Sequence, residues 1–538
     1  MSRFVRASKY RHVFGQQGKK EYGYDNVKVT NSAWDTNIVA ASTRYISLNW
    51  NASGGGAFAI LPLPTPFAEH GLSSKLPDLI PLARGHAGPV LDTDWSPFND
   101  AVVASAGEDG KALIWSVESS AFEGWGQDGW EPQDFDPVAR IDVSPRRVGH
   151  VLFHPTANNV LATSTGDHVV KIWDLASPES AKITFGGHAD AIQSLAWNPT
   201  GTLLATTCRD RKIRFFDPRA GGDAVRTGEG HTGIKGARIT WLGDKDRIAT
   251  TGFSKMSDRQ VAIWETGSLA NIKTTTIDQS SGVLMPFWTD NNILFLAGKG
   301  DGNIRYYEYE NDSLFPLSEY KSSEPQRGMC FLPRRGLSVS DCEIARAYKV
   351  AASSIEAIAF IVPRKSDSFQ SDIFPPAPSA EPALTAAEFF AGKTAAPKFV
   401  SLEDGSVSAG TAPLSLPTPA APAPSRTATA PTPAPAPAPI IHVHEELSSP
   451  TPVSSRYEPE ARAPARSQTN PSDVRPLFLC VEGVVADVVQ DAPVAALKEE
   501  NARLTGELRD AREKIRNLEL QVEAVRANAR KAAALLDG

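Results

Sequence analysis

Short apolar runs broken by turn residues fill most of the chain, and the pattern changes twice towards its end. Residues 1 to about 370 are rich in Val, Ile, Thr, Trp and Gly. Segments such as Val90-Leu91-Asp92-Thr93-Asp94-Trp95 and Ser194-Leu195-Ala196-Trp197 read as strands. Residues 411–440 then hold ten prolines and nine alanines. Proline fixes its own backbone angle and donates no hydrogen bond, so this stretch predicts an extended, disordered linker. After Pro493 there is no further proline, and only Gly506 interrupts before the terminal Gly538. That last stretch predicts a helix.

The strand region is repetitive. Recurring units end in Ala112-Leu113-Ile114-Trp115, Val170-Lys171-Ile172-Trp173-Asp174, Ile213-Arg214-Phe215-Phe216-Asp217, Val261-Ala262-Ile263-Trp264-Glu265 and Ile304-Arg305-Tyr306-Tyr307-Glu308. The closing aromatics stand 58, 43, 48 and 43 residues apart. Four units open with Gly-His, at Gly85-His86, Gly149-His150, Gly187-His188 and Gly230-His231, and the fifth lacks it. Each unit has an acidic residue in the tight turn before its closing strand: Asp109, Asp167, Asp210, Asp258 and Asp301. This is the grammar of a WD-repeat propeller blade, four antiparallel strands in about 40–45 residues. The turn aspartate is expected to accept backbone hydrogen bonds. The histidine pairs with it, and a strand Ser or Thr links on to the Trp. A buried polar network needs every member satisfied, which is why the same residue types recur. Two weaker units flank the five, at 27–62 and 325–363, and seven blades would close a ring without exposed sheet edges.

Composition narrows the class. The chain has 538 residues, 41% apolar and 22% charged. No apolar run approaches the ~18 residues that cross a bilayer. The N-terminus has no apolar core of a secretory signal. The four cysteines, Cys208, Cys330, Cys342 and Cys480, make no CxxC pair, so neither a disulfide scaffold nor a cysteine zinc site is expected, and a reducing cytoplasm suits them. The net charge is -7, which argues against a nucleic-acid binder. Residues 1–30 depart from that average: seven basic residues face two acids, a local excess of five positive charges that suits an acidic partner. The bland alternative is a solvated arm.

The chain also resembles the coronin family, in its short, fungal form. Phe4-Val5-Arg6-Ala7-Ser8-Lys9-Tyr10-Arg11 through Gly15 is similar to that family's opening, as are Asn51-Ala52-Ser53-Gly54-Gly55-Gly56, Thr251-Gly252-Phe253-Ser254-Lys255-Met256, Glu324-Pro325-Gln326-Arg327-Gly328-Met329 and Cys342-Glu343-Ile344-Ala345-Arg346. The likeness runs from residue 4 to about 405. It implies an all-β, seven-bladed WD-repeat propeller at 1–370, an extension packed beneath it at 371–405, a variable linker at 406–492 and a parallel coiled coil at 493–538. It further implies binding and crosslinking of filamentous actin and action on the branch-nucleating complex of actin-related proteins. Cofilin and microtubules are further partners it suggests, and cortical actin patches the location. A basic residue after a Tyr-Asp stretch grips the filament in such proteins; here Tyr24-Asp25-Asn26-Val27 precedes Lys28. Lysine keeps the charge but lacks arginine's planar fork. Lys28 is the first candidate, helped by Lys19, Lys20, Arg44, Arg6 and Lys9.

A heptad runs through the C-terminal helix. Its d positions are Leu497, Leu504, Ala511, Leu518, Val525 and Ala532, and its a positions are Asn501, Leu508, Ile515, Val522, Ala529 and Leu536. Glu507 with Arg512 and Lys514 with Glu519 form the flanking charge pairs of a parallel coil. The alternative is a lone amphipathic helix on the propeller. Asn501 leans towards a dimer, whereas Lys514-Ile515-Arg516-Asn517-Leu518-Glu519 resembles a trimer signature, and the resemblance favours the trimer.

No catalytic constellation stands out. Gly54-Gly55-Gly56 lacks the Gly-Lys-Ser/Thr of a phosphate loop. His150 and His154 would sit about 13 Å apart on a strand, too far to share a metal. No cofactor or enzymatic activity is expected. The competing readings are a general WD-repeat scaffold oligomerised by its coil and an enzyme built on a propeller.

Overall fold

The structure, a computed structural model, describes residues 6–409 except 64–73, 126, 128, 366 and 367. Strands buried along much of their length, with more exposed outer ones, form six four-stranded antiparallel sheets and one five-stranded sheet. These are the seven blades of a propeller. Blade 1 spans 39–84, blade 2 90–142, blade 3 148–185, blade 4 192–229, blade 5 238–278 and blade 6 284–320. In blades 1 to 5 the first strand neighbours the first strand of the next blade, and blade 7's first strand returns to blade 1's. Wedges of apolar side chains fill the gaps between sheets. Ala104, Ile114, Val151 and Trp173 join blades 2 and 3, and Phe215, Trp241, Ile248 and Trp264 join blades 4 and 5. Burying such a side chain stabilises by about 1.5–3 kcal/mol, so the sheets hold each other rather than standing alone.

Blade 7 is closed from the other end of the chain. Gly328–Phe331, Glu343–Val350 and Ser354–Ile361 supply three strands, and Phe14–Gln17 supplies the fourth, with Phe14 opposite Ile361 and Gln17 opposite Ile358. Tyr24–Asp25 adds a short fifth strand beside Ser354 and Ile355. The basic N-terminal segment is therefore not a free arm over this stretch. The two weak units are both blades, but blade 1 runs on to Arg84 and blade 7 needs the N-terminal strand.

Turns sort onto two faces. The lower face carries the hairpins between first and second and between third and fourth strands. The upper face carries the second-to-third turns and the connections between blades. The chain beyond Ile361 packs on the lower face: Asn291 Nδ2 donates to Ile373 O (2.6 Å), Arg334 Nη2 to Pro375 O (2.6 Å) and Asn158 N to Leu384 O (3.0 Å). A short helix, Ala386–Phe390, follows, started by a capping box of Thr385 and Glu388. Its Phe389 ring lies 4.5 Å from His154. Among the described residues no helix is long and apolar enough to cross a membrane. The Pro/Ala linker and the heptad seam of Leu497, Leu504, Leu508, Ile515, Leu518, Val522 and Val525, with the Lys514–Glu519 pair, lie outside the described residues.

Candidate functional site

The repeated polar residues build the frame on which any binding surface sits. Blade 2 shows the whole chain of bonds. Trp115 Nε1 donates to Ser105 Oγ (2.9 Å), Ser105 meets His86 Nε2 (2.8 Å), and His86 Nδ1 donates to Asp109 (3.0 Å). Asp109 also accepts from Ala87 N (2.8 Å). Burial pushes the Asp109 carboxyl up, but His86 and the backbone N–H groups outweigh it and hold it below the usual carboxylate range. Other blades keep part of the chain. In blade 4, His188 Nδ1 donates to His168 O (3.1 Å) and Arg214 takes the turn aspartate, Asp210 (2.6 Å). In blade 6, which has no Gly-His, Arg259 of blade 5 reaches across to Asp301 (2.6 Å).

One Gly-His pair is not a turn. Gly149 and His150 lie inside blade 3's first strand, Val148–Phe153. Glycine is needed there because a Cβ would stand 2.6 Å from the Trp34 ring. Trp34 Nε1 donates to Gly149 O (2.8 Å), and Asp35 pairs with Lys299 of blade 6 (3.4 Å). The segment before blade 1 thus reaches blades 3 and 6 on the upper face. In blade 3's opening turn Ser144 replaces histidine, its Oγ donating to Asp167 (3.0 Å).

The six basic candidates fall in different places. Lys28 is exposed on the upper face, where its carbonyl accepts from Asn51 N in the second turn of blade 1 (2.7 Å). Its Nζ donates to Asp78 O (3.1 Å), next to Leu79, whose side chain is 74% exposed. Lys19 and Lys20 lie at the outer edge of blade 7, loosely paired with Glu21 (3.6 Å) and Asp25 (3.0 Å). Such exposed pairs are worth ~0–1 kcal/mol and open easily to a partner. Arg6, Lys9 and Arg44 sit elsewhere. Arg6 bridges Glu308 and Glu310 in the outer hairpin of blade 6 and lies 4.4 Å over Phe315. Lys9 donates to Asp372 O on the extension. Arg44 occupies the first hairpin of blade 1, on the lower face, over the Tyr45 ring (5.4 Å). The structure brings Lys28, Lys19 and Lys20 onto one flank and leaves the other three away from it. Sequence reasoning missed Leu79, because a single exposed leucine in a long connection has no periodic signal.

Comparison with known proteins decides the family. Residues 79–116, 137–174 and 180–217 match the WD domain, G-beta repeat, residues 355–397 match a further type of WD40 repeat, and residues 3–67 match a domain of unknown function, DUF1899. Coronin-A of Dictyostelium discoideum is 45% identical over 416 residues, covering 77% of this chain and 89% of that one. The chain belongs to the coronin family. The coronin-like protein crn1 of Schizosaccharomyces pombe is 52% identical, covering 76% of this chain and 66% of its own length. The coronin-like protein of Saccharomyces cerevisiae is 49% identical, covering 76% and 62%. The chain thus spans just under two thirds of these two fungal coronins. The WD40 domain of Toxoplasma gondii coronin superposes with a TM-score of 0.65 at 29% identity, covering 73% of this chain and 97% of that domain. The coronin likeness lies in the propeller and its extension, and the DUF1899 match covers the segment that carries the closing strand of blade 7 and Lys28.

Proposed function

We propose that this coronin is a non-enzymatic protein that binds and crosslinks actin filaments. The observation that carries the reading is Lys28: exposed, on the upper face, flanked by Lys19, Lys20 and the uncovered Leu79, and set on a segment that completes blade 7. A cation whose own carbonyl is bonded to blade 1 keeps its position, so an acidic filament surface meets it without ordering a loop. The C-terminal heptad joins copies into a trimer, and the chain works at cortical actin patches in the cytoplasm. The variable tail engages the branch-nucleating complex of actin-related proteins; cofilin and microtubules are further partners of the assembled molecule.

High-speed co-sedimentation with filamentous actin tests this. Wild type pellets at low salt, and Lys28→Asp stays soluble while keeping its thermal unfolding midpoint. Failure of wild type to pellet sinks the filament reading and leaves the WD-repeat scaffold in its place.

A further inference from the structure

Blade 5 departs from the repeat at its second turn. Its second and third strands, Arg247–Phe253 and Arg259–Glu265, have seven residues each, against five or six in blades 2 to 4. Pairing continues to Phe253 opposite Arg259, so the turn projects further on the upper face. The turn aspartate has also changed partner. Asp258 accepts from Ser254 Oγ (2.8 Å) and Gln279 Nε2 (3.2 Å), while His231 is held through Thr250 (2.9 Å). Ser254 N donates to Asp258 O (2.8 Å), and Ser254 Oγ accepts from Met256 N and Asp258 N (both 3.1 Å). The histidine link seen in blade 2 is exchanged for a clamp that stiffens the tip.

The clamp displays Lys255 and Met256. Met256 is 83% exposed, the highest among the exposed large apolar side chains of the described residues. The loop entering blade 5 lies against it, since Gly233 N donates to Phe253 O (2.8 Å). A Cβ on Gly233 would stand 2.7 Å from that oxygen, so only glycine permits the approach. The next two residues are Ile234, 60% exposed, and Lys235, whose Nζ lies 4.9 Å over the Phe253 ring. The result is one raised spot of two uncovered apolar side chains and two lysines. A single exposed apolar residue is ordinary; two beside two lysines, one of each on a stiffened tip, make a docking surface. The same pairing of lysine with an uncovered apolar side chain occurs at Lys28 and Leu79, on the same face.

We propose that Ile234, Lys235, Lys255 and Met256 form a second docking point of the propeller on the actin filament, where the lysines meet acidic groups and Met256 enters an apolar recess. This rests on the filament reading above. Two separated points on one face fix the angle at which the propeller sits, which a single lysine cannot do.

The test is co-sedimentation of the full chain with filamentous actin, comparing wild type, Lys255→Glu with Met256→Ser, Ile234→Ser with Lys235→Glu, Met256→Leu, and Lys28→Asp. Each double variant should weaken binding about tenfold, as loss of an interfacial anchor does, with an unchanged unfolding midpoint. Met256→Leu should bind as wild type. Ser254→Ala, which loosens the tip without removing a contacting side chain, should weaken binding about two- to threefold, in keeping with a preorganisation cost. If both double variants bind as wild type while Lys28→Asp does not bind, the second docking point is wrong and the filament reading stands. If wild type itself does not pellet, the filament reading fails and takes this proposal with it.

Discussion

Asp92 and Asp94 alternate along the first strand of blade 2, each accepting from the backbone of blade 3: Val151 N to Asp92 (3.2 Å) and Phe153 N to Asp94 (2.8 Å). Burial pushes Asp92 up to about 8 and Asp94 to about 7, against the backbone donors that pull the other way. A carboxyl raised on folding is easier to bury when protonated. Its contribution is complete below the ordinary pKa near 3.8 and is lost as pH climbs through 7 to 8. Asp94→Asn keeps an acceptor for Phe153 N without the charge, and should gain about 1–2 kcal/mol over wild type at pH 8 but almost nothing at pH 4. Chemical unfolding at both pH values checks it; equal gains at both would show that charge is not the cause. His154 runs the opposite way. Burial lowers it to about 4, and its ring accepts from Ala157 N (2.9 Å). The stability it lends is present above pH 6.5 and lost as pH falls through 4, so His154→Gln should flatten the acid limb of the unfolding profile. At this scale the turn aspartates were readable because residue type and position recur. Arg6 was not: its charge is visible in the sequence, whereas Glu308 and Glu310, which engage it, are about three hundred residues away.

A blade is held by its polar chain and its neighbours, and the elements differ in how much of that chain they keep. In blade 2, removing His86 breaks the link between Asp109 and Ser105, leaving Asp109 its backbone donors and Ser105 only Trp115 in a buried site. His86→Ala should therefore cost about 2–4 kcal/mol. Ser144→Ala in blade 3 removes two exposed bonds, one to Asp167 and one from Arg146 N, and should cost about 1 kcal/mol. Thermal unfolding of the two variants side by side checks the ranking, and similar losses would mean that the blades do not depend on the histidine chain. Five blades were legible because their turn grammar is local. Blade 7 was only half legible, since its fourth strand pairs Phe14 with Ile361. Gly149-His150 misled for a related reason: the dipeptide fits the turn grammar, but its glycine answers to Trp34 from a distant loop.

For the whole molecule, the decisive contrast is between a net charge of -7 and a basic flank on the upper face. Against the acidic filament surface proposed above, a chain of this net charge is repelled at long range, so a lysine-based contact would act at short range and weaken as salt rises beyond ~0.1 M. On the filament reading proposed above, one propeller with a few lysines has modest affinity, and copies joined through the expected coil would attach more durably. In such an oligomer, one bound propeller would keep a second at high effective concentration near the filament, raising avidity by about 10²–10⁴ without a new contact. A chain ending before Leu497 keeps every described residue of the propeller and extension. It should still co-sediment at high speed when its concentration is raised, with the same sensitivity to Lys28→Asp as the full chain. It should lose low-speed pelleting altogether, because bundling requires two propellers in one molecule. If the truncated chain bundles filaments as well as the full chain does, crosslinking comes from two faces of one propeller, and Arg44 on the lower face becomes the next residue to reverse in charge.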